Sequence, residues 1–368
     1  MSDIIQKEKT DYRFKLLYAV GIILVVLGHC NGGGLNIFYD WIAPYSYHLS
    51  IFDFSSGYFY KSQNEKTPLK YCIKKIKNLL IPLYIWNLFY GIIVKLLSFK
   101  GFTIGEELNF YNLIISPVLS GHQFEYNLAS WFVIPLFMVE IFNLFLRKIL
   151  FFVKENIKDF VIFIIFSIFG FLGTFLSIKG YNTNLYLPIM RFLHFLPFYA
   201  LGTFYKTKLE KYDILPNSIF FGIICIIQLG VLFRYGGKPF AFQCWCDFPY
   251  GIMITYIEGF VGIFFWFRIC KILEPALGKS KIINSIADNS FSIMINHLMG
   301  FMILKTLFAL CYKYFNIFSS FNFEAYKSDI WYLYIFGNLE QIQIIYVIFA
   351  IYFSIMLQKL VYKLKSIF

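Results

Sequence analysis

The sequence predicts an all-α, polytopic membrane protein, a bundle of about ten transmembrane helices with both termini cytoplasmic, and three observations predict it. Its 368 residues are 59% hydrophobic and only 15% charged, with a mean hydropathy of +0.64, far too apolar for the polar surface of a water-soluble globule. Apolar runs near the ~20 residues that span a bilayer recur along the whole chain. The 33 Lys and Arg, which give a net charge of +12, recur as short clusters in alternate connecting segments and not on one motif. The basic charge therefore reads as topology and needs no nucleic-acid partner.

Met1 to Arg13 is polar, carries acids as well as Lys7, Lys9 and Arg13, and precedes no small-residue cleavage site, so it is expected to remain as a cytoplasmic N-terminus. The first helix runs from Phe14 to Cys30 and a second, less apolar one from about Trp41 to Tyr60. Further spans read about Leu79 to Ser98, Ala129 to Leu146, Phe160 to Ile178, Phe192 to Tyr205, Ser218 to Phe233, Tyr250 to Phe267, Ser290 to Tyr312 and Gln341 to Tyr362. Lys and Arg collect in the N-terminus, 61–78, 147–158, 206–216, 268–281 and the tail, while the other five segments carry no more than two each. By the positive-inside rule both termini are cytoplasmic. The apolar run Phe110 to Leu119 is too short to cross and is expected at the interface or re-entering between helices. With no linker, low-complexity tract or repeat, residues 1–368 read as one domain, with the helix bundle over 14–364.

Most of the seven cysteines lie in or beside apolar segments and read as buried thiols, not a disulfide framework. Cys244 and Cys246 share a loop, but a C-x-C pair with no further Cys or His nearby is a weak metal signal, and no metal is expected.

Ionisable groups inside apolar helices are expensive and each needs a reason. His29 ends the first helix, with Gly28 before it and Asn31-Gly32-Gly33-Gly34 after it, where other groups can approach closely. The plainer reading is an interfacial histidine bonded to a neighbouring helix. His29 stands about 21 Å along its helix from Lys15, and His48 on the second helix comes to a similar height. Asp53 lies deeper, followed by Ser55, Ser56 and Gly57; it would orient a histidine or pair with a lysine such as Lys305. Glu140, Glu258 and His297 fall within later helices. These groups either converge on one cavity or make separate interhelical hydrogen bonds. His194, beside Arg191, reads as interfacial, and His122 as solvated in an outer loop.

Six segments in order resemble the third family of integral-membrane acyltransferases, which O-acylate bacterial glycans and related acceptors, and the likeness spans nearly the whole chain. Val25-Val26-Leu27-Gly28-His29 resembles the end of that family's first helix. Tyr47-His48-Leu49-Ser50-Ile51-Phe52-Asp53-Phe54-Ser55-Ser56-Gly57-Tyr58 is similar to its second segment, and Lys74-Lys75-Ile76-Lys77-Asn78-Leu79-Leu80-Ile81-Pro82 to its basic entry into helix three. Ser130-Trp131-Phe132, Leu196-Pro197-Phe198-Tyr199-Ala200-Leu201-Gly202 and Asn289 to His297 are similar to three later ones. Tyr18 stands where the family has an Arg, the nearest cations being Arg13 and Lys15; Asp53 replaces an apolar residue, and Met294 a Tyr.

The resemblance implies an O-acyltransferase, foremost an O-acetyltransferase, of the bacterial inner membrane. It would move an acyl group from acyl-CoA, acetyl-CoA in the simplest case, to a hydroxyl of a cell-surface polysaccharide or lipid-linked glycan. His29 would be the general base, since an imidazole of pKa ~6.5 can take a hydroxyl proton near neutrality, with Asp53 or Glu140 orienting it. His48, Ser56, Trp131, Glu258 and His297 would contact substrate. Lys74, Lys75 and Lys77, with Arg13 and Tyr18 near the position of the family Arg, would hold the donor's phosphates. The alternative is a transporter or flippase for a lipid-linked glycan or small solute, which would also bury acids and histidines, but no internal repeat or pair of broken helices supports it. A glycan polymerase or ligase would be expected to carry several outer-loop arginines, and only Arg191 and Arg234 stand there. Reporter fusions after Phe368 and within 314–340 should read cytoplasmic and external respectively; an external C-terminal signal would make the helix count wrong by an odd number.

Overall fold

The computed structural model describes residues 10–30, 42–153, 158–236, 241–318, 320–338 and 340–365. Asp11 starts the bundle: its carboxylate accepts from the Arg13 backbone N–H at 3.1 Å and holds the Arg13 guanidinium at 2.6 and 3.0 Å. The helix it caps, α1 (Tyr12–Gly28), ends at Gly28 with His29 as its C-cap. Phe14, Leu17, Ile22, Leu24, Val25 and Val26 are buried, so α1 is apolar on every side and lies within the bundle, not on its rim. The Asn31 to Gly34 loop and the expected helix start at Trp41 lie outside the described residues.

After α1 come α2 (Ser50–Tyr58), α3 (Pro68–Ser98), α4 (Leu128–Phe151), α5 (Asp159–Ile178), α6 (Tyr186–Phe204), α7 (Asn217–Tyr235), α8 (Ile252–Leu277), α9 (Ser290–Phe315) and α10 (Gln343–Leu364). Among the described residues, α3, α4, α5, α7, α8, α9 and α10 are long and apolar enough to cross a membrane, seven against the ten expected. The other three fall short for separate reasons. The 17 residues of α1 rise about 26 Å. In α6 the apolar run is interrupted by Arg191 and His194. The single helix expected over Trp41 to Tyr60 is replaced, where described, by a 3₁₀ turn at Pro44–Ser46 and a nine-residue helix from Ser50. Pro44 opens that turn, and its carbonyl accepts the backbone N–H groups of Tyr47 and His48 at 3.0 and 2.8 Å, so the chain bends before α2 begins. The run Phe110 to Leu119 forms the short helical pieces Tyr111–Ile115 and Ser116–Leu119, tied to α3 by the Asn87 amide, which donates to the carbonyls of Asn112 and Leu113.

The basic connecting segments meet at one end of the bundle. Arg13 reaches Glu210 at 2.7 Å, Arg147 reaches Asp159 at 2.7 Å, Asp213 receives Arg268 and, at 2.7 Å, Lys271, and Lys15 bonds Asp288. Among the described residues, other connecting segments meet at the opposite end. There Tyr45 donates to the Gly28 carbonyl at 2.6 Å, the Thr103 backbone N–H to Lys327 at 2.9 Å, and Asn182 to Trp245 at 3.2 Å. The alternation in sequence is thus an alternation in space.

Short as it is, α2 is fixed by backbone contact with α6. A Cβ added at Gly57 would lie 1.9 Å from the Tyr199 carbonyl oxygen, and one at Gly202 would lie 2.0 Å from that of Phe54. Close helix crossings in a membrane depend on such small residues, and here the obstruction is backbone that cannot rotate away. Gly57→Ala and Gly202→Ala should each destabilise the protein by about 1–3 kcal/mol or more in detergent unfolding. Gly222→Ala in α7, with nothing within 4 Å of its added carbon, should be neutral or stabilising by up to ~1 kcal/mol. Equal effects at all three would remove the crossing from its role.

Candidate active site

A cavity of about 450 Å³ opens where α1 ends, at the end of the bundle away from the ion pairs. His29 is on its wall, with His48, Trp131, Trp245 and Trp331. His29 Nδ1 lies 2.8 Å from His297 Nε2, the two rings stacked at 4.9 Å, and His297 Nδ1 lies 2.9 Å from the Ile293 carbonyl. A carbonyl only accepts, so His297 carries its proton on Nδ1. In the neutral ring Nε2 is then the acceptor, and His29 Nδ1–H donates to it. This order leaves His29 Nε2 with a lone pair and without a partner among the described residues, on a ring that faces the cavity. His48 repeats the pattern, donating Nδ1–H to the Pro44 carbonyl at 2.6 Å and keeping a lone pair on Nε2.

Of the residues the sequence singles out, His29, His48 and Trp131 share this cavity and His297 stands directly behind it. Asp53 and Glu140 do not touch His29. Both Asp53 oxygens are buried without a hydrogen-bond partner among the described residues, so neither a histidine nor Lys305 is its partner; Lys305 donates to the Ile330 carbonyl at 3.2 Å. Glu140 is bonded by Lys75 at 2.5 Å. Tyr18 lies beside Ser56, with the carboxyl groups of Asp53 and Glu140 near enough to act on it, deeper in the bundle. Tyr18 stands eleven residues, or about 16 Å, along α1 from His29. Glu258 accepts from Gln228 of α7 at 2.8 Å, an interhelical pair away from the cavity. His194 is buried beside Gln243 at 3.3 Å, not interfacial.

Lys74, Lys75 and Lys77 divide between two places. Lys75 bonds Glu140, with the Lys74 charge also acting on that carboxylate. Lys77 lines a groove of about 660 Å³ between α3, α9 and α10 together with Asp288 and Phe291. Arg13 is held by Asp11 and Glu210. No group of His, Cys, Asp and Glu that would hold a metal is found among the described residues.

The cavity also contains two residues to which the sequence reading gives no part in a site. His122, read as solvated, is packed under Trp245, with ring centroids 4.6 Å apart, and its Nε2 is 3.0 Å from Cys244 Sγ. Burial, with the Arg191 charge adding, pushes His122 down to about 4, while burial pushes the Cys244 thiol up to about 11 against the pull of Arg191. Both are therefore uncharged at neutral pH. The only sequence signal was the aromatic between the two thiols in Cys244-Trp245-Cys246.

The wall rings and two basic imidazole nitrogens make a pocket able to seat a polar ring against aromatic faces and take a proton from one of its hydroxyls. No individual curated protein and no solved structure matches the chain. A family model, that of the acyltransferase domain of the third acyltransferase family, matches residues 11–359. That match runs from the Asp11 cap to the last turns of α10, and the chain belongs to this family of membrane acyltransferases.

Proposed function

We propose that the protein O-acylates a glycan hydroxyl, with His29 Nε2 as the general base, in a membrane domain over 14–364 whose ionic end is cytoplasmic. The observation that carries this reading is the hydrogen-bond order from the Ile293 carbonyl through His297 to His29, which leaves a proton-accepting nitrogen on a cavity wall. The acceptor, a cell-surface polysaccharide or lipid-linked glycan, enters the aromatic cavity from outside. Sugar rings have apolar faces and polar rims, and Trp131, Trp245 and Trp331 supply the matching surfaces.

The donor is an acyl thioester of the acyl-CoA class, foremost acetyl-CoA, approaching from the ionic end. Its phosphates meet Lys74, Lys75 and Lys77, and its acyl end passes Tyr18, Ser56 and Asp53 on the way to His29. As the hydroxyl oxygen attacks the thioester carbon, His29 Nε2 takes the hydroxyl proton and His297 holds the ring in place. His48 contacts the acceptor from the facing segment. Asp53 and Glu140 act on donor passage and not on the orientation of His29.

His29→Ala should reduce ester transfer by roughly 10²–10⁴-fold, the usual contribution of a positioned base. His48→Ala should give a partial loss. The measurement is acyl transfer from labelled acetyl-CoA to a glycan acceptor in membranes of equal protein content. Near-full transfer by His29→Ala, with His48→Ala inactive, would move the base to the other helix.

A further inference from the structure

A thiol and an imidazole within hydrogen-bond reach of each other line the same cavity. Cys244 Sγ is 3.0 Å from His122 Nε2, and His122 Nδ1–H donates to the Ser120 carbonyl at 2.7 Å, which turns the basic nitrogen of the ring toward the thiol. Arg191 fixes both partners: its Nε donates to the Cys244 carbonyl at 2.8 Å and its Nη1 to the Ser120 carbonyl at 3.0 Å, while its plane lies over Trp131 at 4.4 Å. An arginine buried in α6 thus ties two loops, more than a hundred residues apart in sequence, at the point where the thiol meets the imidazole. A nucleophile, a base in hydrogen-bond reach and a group orienting the base are the three parts of nucleophilic catalysis. His122 and Cys244 line the cavity that His29 lines.

We propose that Cys244 is a covalent acyl carrier: it takes the acyl group from the donor thioester and passes it to the acceptor hydroxyl. The step rests on the acyl-transfer reading above. In the first half, the Sγ–carbon bond forms and the donor's carbon–sulfur bond breaks. The Cys244 proton moves to His122 Nε2 and from there to the departing donor thiolate, so one thioester and one thiol become another thioester and thiol. In the second half, the acceptor oxygen bonds to the carbonyl carbon, the Sγ–carbon bond breaks, and the hydroxyl proton, taken first by His29, ends on the Cys244 sulfur. No oxidant or further reactant is needed.

The resting thiol is protonated and His122 neutral, so the sulfur becomes nucleophilic only as His122 takes its proton, as in a serine–histidine pair. A carrier at this position keeps the acyl group in the outer cavity after the donor thiol has withdrawn.

The test uses the full-length protein in detergent with a small soluble thioester, S-acetyl-N-acetylcysteamine, and peptide mass spectrometry to follow acetylation of each cysteine. Cys244 should be acetylated at least ~10-fold faster than the half-buried Cys72, Cys225 and Cys311, a comparison within the wild type that needs no variant. His122→Ala should slow Cys244 by roughly 10²-fold or more. In His29→Ala supplied with a glycan acceptor, the acetyl group should accumulate on Cys244. Acetylation of Cys244 no faster than the other three, or undiminished in His122→Ala, would overturn the proposal, as would full ester transfer to glycan by Cys244→Ser. Rapid, His122-dependent acetylation in a wild type that esterifies no glycan would support the carrier and place the failure in the acceptor assignment.

Discussion

An imidazole at the end of a helix that is apolar on every face has no polar neighbour on its own helix, and its hydrogen bond must come from elsewhere in the bundle. In this protein it comes from His297, one helical turn beyond the Ile293 carbonyl that fixes its tautomer. The pairing brings α9 against the end of α1 and sets which His29 nitrogen is basic. It also gives a reason for a second histidine inside an apolar helix, where unpaired polar groups are costly. The cavity, the aromatic wall and the second imidazole at His48 are arranged around that nitrogen.

Two features keep the arrangement in register. The ion pairs among Arg13, Glu210, Asp213, Arg268 and Lys271 gather the loops of one end. The crossing of α2 on α6 at Gly57 and Gly202 places the bend that carries His48. Backbone touching backbone allows little sliding, so a nine-residue helix can hold a position that its own length would not secure. At the other end Arg191 does the comparable work for loops, donating to carbonyls of both the Ser120 and the Cys244 segments.

Much of this was legible in the sequence. Composition and the alternating Lys and Arg gave an all-helical membrane bundle, and the segments from Val25 to His29 and from Asn289 to His297 gave the family. His29, His48, Trp131 and His297 do come together. The second helix was misjudged because hydropathy registers the apolar residues around Pro44 but not the turn that Pro44 begins. On residue type alone Asp53 and Glu140 are natural orienters, yet an orienter is defined by contact. The long reach of Lys75 to Glu140, 65 residues away, carries no periodic signal. His122 reads as solvated and Cys244 as one of a loop pair for the same reason: 122 residues separate them, and only the fold brings them within 3.0 Å.

The dependence of His29 on His297 is open to direct measurement, because the two tautomers of a histidine ring differ in which nitrogen bears the proton. Nitrogen-15 spectra of the histidine-labelled full-length protein in lipid nanodiscs, with the His29 signals identified by their loss in His29→Ala, report this without reference to activity. The hydrogen-bond order described here requires a proton on His29 Nδ1, a bare Nε2, and a coupling from Nδ1–H to His297 Nε2. A proton on His29 Nε2 with Nδ1 bare would contradict it and leave the cavity without the base assigned to it.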